Sequence, residues 1–115
     1  MKTNIIKDKS FLFAVDIVNL YKYLAGNKKE YVMSRQLLKS GTSIGANVRE
    51  AEFAQSRADF TNKMSISLKE ANETDYWLDL LHVTEFIDAD QFKEYKPKAQ
   101  EMLRLLVSIV KSSKE

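Results

Sequence analysis

The sequence predicts an all-α protein, an up-down-up-down antiparallel four-helix bundle, from three observations. Its 115 residues include only three glycines and one proline, so turn punctuation is sparse and helix formers dominate. Apolar residues recur at spacings of three and four along most of the chain. The segments between these periodic stretches are short, which makes successive helices antiparallel neighbours. A three-helix bundle with a docked tail is the alternative arrangement. At this length one domain spanning 1–115 is expected, with roughly two-thirds of the unfolded surface buried on folding.

The first helix is expected from a Ser10 cap to about Ala25, with Ala14, Ile17, Val18, Tyr21, Leu24 and Ala25 on its apolar face and Gly26-Asn27 as its stop. A leader peptide fits this end poorly, because Asp16 and Asn19 interrupt the apolar run and no small-x-small cleavage site follows. The second helix is expected from about Glu30 to Gln55, because Leu37, Gly41, Ile44, Val48 and Ala51 form a heptad seam that runs through both glycines. Ser56, with Asp59 three residues on, is the expected cap of the third helix, which carries Thr61, Met64, Leu68, Ala71, Asp75 and Leu78. A hairpin about residue 57 would bring Ile44 level with Ala71 and Gly41 level with Thr74, small against small. Asp88 or Asp90 caps the fourth helix, whose face is Phe92, Ala99, Met102, Leu103, Leu106, Ile109 and Val110. Pro97 must kink that helix or mark its first true turn.

Ser40 to Ala51, SGTSIGANVREA, looks at first like a phosphate-cradling loop. A nucleotide loop needs Gly-x-x-x-x-Gly-Lys-Ser/Thr after a strand, whereas here Gly41 and Gly45 are one residue too close, Ala46 replaces the lysine, and no strand precedes. Two glycines inside a helix cost about 1 kcal/mol each relative to alanine. Close packing of a neighbouring helix, within the bundle or between subunits, is the simplest compensation.

With no cysteine and one histidine, the chain cannot build a thiolate zinc site, a disulfide framework or the paired Glu-x-x-His motifs of a di-iron bundle. No catalytic triad can be assembled around His82, whose neighbour at i−3 is Asp79. No catalytic residue, metal site or cofactor is expected. No apolar run approaches the roughly 20 residues needed to span a bilayer, which points to no membrane role and a cytoplasmic protein.

Net charge is only +2, but it is segregated. Residues 22–49 hold Lys22, Lys28, Lys29, Arg35, Lys39 and Arg49 against Glu30 alone, while residues 50–90 hold ten acids against Arg57, Lys63 and Lys69. A basic stripe of this kind can follow a phosphate backbone, so the candidate nucleic-acid contacts are those six residues with Lys93, Lys96 and Lys98. An ordinary solvated surface, or opposite charges meeting between subunits, accounts for the same pattern. Asn47 and Glu50 are expected in a buried or interfacial hydrogen-bond network, and Tyr76 and Trp77 as packing aromatics.

SGTSIGANVREAEFAQSRADF, followed by KMSISLKEANETDYWLDLL, closely resembles the four-helix-bundle proteins encoded in intervening sequences of bacterial 23S ribosomal RNA genes. The matching positions are Ser43, Ile44, Gly45, Ala46, Asn47 and Glu50, then Asp59, Phe60, Glu70, Ala71, Glu73, Thr74 and Leu78. The resemblance implies a non-enzymatic bundle that assembles into a ring, typically a homopentamer. It also implies kinship with the accessory variability determinants of diversity-generating retroelements, basic pentamers that bind nucleic acid and a reverse transcriptase. RNA or DNA and a partner protein of that kind are therefore expected partners. An oligomeric RNA-binding protein and a protein-interaction adaptor with no nucleic-acid role both fit.

Overall fold

Ser10 does not cap the first helix. In the computed structural model, which describes residues 2–115, helix α1 spans Lys2–Gly26, α2 Met33–Ala51, α3 Arg57–Val83 and α4 Ala89–Ser113. Ser10 lies buried inside α1, its hydroxyl donating to the Lys7 carbonyl at 3.2 Å. The true seam of α1 is Ile6, Ser10, Phe13, Ile17, Leu20 and Leu24, all buried. Of the face expected from sequence, only Ile17 and Leu24 belong to it; Ala14, Val18, Tyr21 and Ala25 are half-buried. A helix with no acid in its first turn forgoes a favourable interaction with its own dipole, worth roughly 0.3–1 kcal/mol. Burying Ile6 and Phe13 contributes roughly 1.5–3 kcal/mol each, so packing wins and the helix extends.

The heptad seam of α2 is as expected, with Leu37, Gly41, Ile44, Val48 and Ala51 all buried, joined by Ser34 and Ser40. Its ends are shorter than the expected 30–55. The helix stops at Ala51, where the amides of Phe53 and Ala54 reach back to the carbonyls of Glu50 and Ala51 in tight turns. Ser56 caps α3 by accepting from the Asp59 amide at 3.0 Å, as its sequence predicts. The interior face of α3 is Met64, Ser67, Ala71, Thr74, Leu78 and Leu81; Leu68 and Asp75 sit at its margin. Asp88 caps α4 in a reciprocal capping box with Gln91, and α4 runs unbroken through Pro97, well inside the helix. The proline therefore does not mark a first turn. Ala99, Met102, Leu106, Ile109 and Val110 are buried as expected, with Phe92 and Leu103 packed against the core.

Each helix packs on its two neighbours, α1 on α2 and α4, α3 on α2 and α4. The bundle measures 44 × 20 × 19 Å. Small does face small across α2 and α3, but through serines: Thr74 donates to Ser40 Oγ at 2.9 Å, and Ser67 Oγ donates to the Ile44 carbonyl at 2.9 Å. The glycines turn the other way. A Cβ on Gly41 would lie 2.7 Å from Ile17 Cγ2, and one on Gly45 3.3 Å from the Ser10 carbonyl oxygen, so both glycines admit α1. The expected register of Gly41 against Thr74 is thus replaced by Ser40 against Thr74, with Gly41 given to α1.

Candidate nucleic-acid interface

The antiparallel order brings the α1–α2 turn and the α3–α4 turn to one end of the bundle. At that end, Lys22 closes α1, Lys28 and Lys29 lie in the turn, and Arg35 and Lys39 follow one helical turn apart on α2. All five are exposed, and among the described residues none of the ion pairs includes them.

Glu30, the sole acid of this segment, is turned inward and only 8% exposed. Its carboxylate accepts from the amides of Val32, Met33 and Ser34 at 3.1, 3.0 and 2.7 Å, and its backbone carbonyl accepts the Ser34 hydroxyl at 2.7 Å. Val32, at the cap position of α2, offers no side-chain bond, so Glu30 caps the helix from two residues outside it. Burial pushes the Glu30 carboxyl up, but the three amides and Ser34 outweigh it and hold the group below its ordinary value. It stays ionised, with its charge spent on the positive end of the α2 dipole. The surface here is therefore more basic than the residue count implies. Sequence reasoning placed Glu30 as the first residue of the helix and missed this role. The signal was a Glu four residues ahead of Ser34, just past a Gly-Asn helix stop.

The other candidate cations are placed differently. Arg49 lies ten residues beyond Lys39, roughly 15 Å along α2, with its guanidinium 5.8 Å from the Phe11 ring centre. It borders an open groove of about 370 Å³ between α1 and α2, floored by Ala14, Thr42, Gly45 and Ala46. Lys93 is exposed, but Lys98 Nζ sits 2.9 Å from Asp16, and Lys96 Nζ sits 2.7 Å from Asp75 and 2.8 Å from Asp79. The buried Asp75 Oδ1 has the Lys96 ammonium, at 2.7 Å, as its partner charge. Burial pushes the Lys96 ammonium down, yet the two aspartates outweigh it and raise it above its ordinary value. The structure thus gathers Lys22, Lys28, Lys29, Arg35 and Lys39, and leaves Arg49 apart and Lys96 and Lys98 engaged.

Among the motif residues, Ile44 and Thr74 are core, with Gly41 and Gly45 in the α1 contact. Ser43 Oγ donates to the Lys39 carbonyl at 2.6 Å and Asn47 Nδ2 to the Ser43 carbonyl at 2.8 Å, both within α2. Ala46 is exposed. Glu50 is exposed and pairs with Lys63 at 3.1 Å, Glu70 is half-buried, and Glu73 accepts the Trp77 indole N–H at 3.1 Å. Asn47 and Glu50 therefore do not share a buried network within the subunit: half-buried Asn47 bonds within α2, and exposed Glu50 pairs across to Lys63 on α3. Trp77 packs against the core, whereas Tyr76 is exposed.

Among the described residues no group of three or more His, Asp or Glu could hold a metal, and His82 stacks on Phe92 with centroids 4.1 Å apart while Asp79 is taken by Lys96. No described helix is long and apolar enough to cross a membrane. The fold and its surface define a small antiparallel helical bundle with one end that carries free cations on its α1–α2 side and the exposed acids Glu85, Asp88 and Asp90 on its α3–α4 side. The chain belongs to the 23S rRNA-intervening sequence protein family, whose model it matches over residues 2–108. It is similar to a crystal structure of a protein with unknown function from the S23 ribosomal protein family of Bacteroides thetaiotaomicron VPI-5482, at 61% identity and TM-score 0.94, covering 96% of this chain and 99% of that one. A search of curated proteins finds no match.

Proposed function

We propose that this protein is a non-enzymatic, self-associating helical bundle that binds nucleic acid, RNA foremost, through the basic end formed by Lys22, Lys28, Lys29, Arg35 and Lys39. The observation that carries this reading is that five exposed cations lie on the α1–α2 side of one end, where the only acid of their segment has its carboxylate folded onto backbone amides, while the exposed acids of that end, Glu85, Asp88 and Asp90, belong to the α3–α4 turn. Such a cluster neutralises phosphates and so releases the cations condensed on the nucleic acid, which is the main source of sequence-independent affinity. The family's name refers to 23S rRNA, and the similar structure carries a ribosomal protein family name, both of which favour RNA over DNA.

Self-association is supported by an apolar stripe on the outer face of α1, where Phe11, Leu12 and Val15 stand exposed. Five copies is the leading count, from the resemblance to ring-forming relatives. The test is the native mass of the purified protein before and after nuclease treatment. The expected result is a multiple of the 13.3 kDa subunit that loses bound nucleic acid on digestion. A single-subunit mass at micromolar concentration, with no nucleic acid retained at low salt, would overturn it.

A further inference from the structure

The α1–α2 turn is a rigid piece of backbone. The Glu30 amide donates to the Leu24 carbonyl at 3.0 Å, tying the turn to the end of α1, while its carboxylate ties it to the start of α2. Lys29 adopts a left-handed conformation, φ 56°, that makes this double attachment fit. With Glu30 drawn inward, its neighbours are turned out: Lys28 and Lys29 on one side, Tyr31 at 48% and Val32 at 73% exposure on the other. The Tyr31 side chain makes no hydrogen bond or ring contact with any described residue. An aromatic ring is thus held at the surface on a stiff turn, flanked in sequence by Lys28, Lys29 and Arg35.

We infer that Tyr31 is a stacking platform for an unpaired nucleobase, with Lys28, Lys29 and Arg35 holding the phosphates on either side of it. This rests on the nucleic-acid reading of the basic end and adds what that reading lacks, the class of ligand: a single strand, or the loop of a folded RNA. Phosphate contacts alone are indifferent to whether bases are paired, whereas an open ring face between cations favours a base out of its stack over one held in a duplex. Tyr76 provides an internal contrast. It is as exposed, at 56%, but Glu73, Asp75 and Asp79 surround it in sequence and repel phosphate, and its ring is already packed edge-on against Trp77. Because the turn is already ordered, little conformational freedom remains to be lost when a base settles on the ring.

The test measures binding of the full chain to two labelled probes of equal length, an oligouridylate and a blunt RNA duplex, by fluorescence anisotropy. Tyr31→Ala should weaken oligouridylate binding roughly 5- to 150-fold, the range for losing one base–aromatic stack. Tyr31→Phe should restore it, duplex binding should change less than twofold, and the salt dependence should be unaltered. Lys28→Ala with Lys29→Ala should instead weaken both probes and flatten the salt dependence. If Tyr31→Ala binds oligouridylate within twofold of the unaltered protein, or loses both probes equally, the stacking inference is overturned while the nucleic-acid reading survives. If the unaltered protein binds neither probe at low salt, both fall. An unchanged melting temperature for Tyr31→Ala, expected of an exposed side chain, shows that the variant is folded.

Discussion

The hairpin α1–α2 and the hairpin α3–α4 bring two helices together by opposite means. In the first, glycines open α2 so that Ile17 and the backbone at Ser10 come into contact with it, and Lys22, Lys28, Lys29, Arg35 and Lys39 stay outside and out of the ion pairs, while Lys7 at the far end pairs with Glu52. In the second, side chains fill the gap: Lys96 bridges to Asp75 and Asp79, and His82 stacks on Phe92. Their turns differ in the same sense. Glu30 folds inward to cap α2, whereas Asp88 caps α4 from an exposed position. The acid of the basic segment is thereby hidden, so the α1–α2 turn presents its cations without it.

The largest effect that would break this contrast is expected at the first turn. Glu30→Ala leaves three amides without their charged acceptor and should cost about 2–3 kcal/mol in urea unfolding, against about 1 kcal/mol for Asp88→Ala. Equal losses at the two turns would contradict the distinction between them. Gly41→Ala should come next, at about 1–2 kcal/mol net, because its Cβ would press on three Ile17 atoms within 3.1 Å and overpacking exceeds the gain of about 1 kcal/mol from replacing helical glycine. Gly45→Ala meets its closest atom at 3.3 Å and should stay within about 1 kcal/mol of the unaltered protein, while Gly45→Leu should disrupt the α1 contact outright.

Titration separates the hairpins by sign. The Glu30 carboxyl is held low, so its contribution is present above its unfolded value near 4.5 and is lost as pH falls through the lower folded value. The Lys96 ammonium is held high, so its contribution is full below its unfolded value near 10.5 and is lost as pH rises through the folded one. Melting curves of Glu30→Gln should therefore converge on the unaltered protein only in acid, and those of Lys96→Met only in strong alkali. These pH-dependent differences should be the smallest of the effects.

Helix number, the α2 seam, the Ser56 cap and the buried face of α4 were legible in the sequence because each is written in local spacing or a local cap. The start of α1 was not. Its first turn carries no acid, and only the tertiary burial of Ile6 and Phe13 makes up for that. The glycines signalled a close approach, but not from which side, since Ser10 and Ile17 are distant in sequence and one of them is polar. Glu30 reads from sequence only as the start of α2 and the one acid of its segment, because the donors it caps are backbone amides, which no side-chain pattern reveals. The basic segment was legible as residues, but not the separation of free cations from Lys96 and Lys98, whose partners lie 17 or more positions away.

The most direct measurement is the salt dependence of RNA affinity for two sets of variants. Neutralising Lys28, Lys29, Arg35 and Lys39 together removes free cations of the α1–α2 end, and neutralising Lys93 and Lys98 removes charge from α4. The first set should lower the slope of log affinity against log salt by roughly 0.7–0.9 for each phosphate that is no longer neutralised, and the second should leave it nearly unchanged. A slope untouched by the first set and lowered by the second would place the binding surface on α4 and contradict the account.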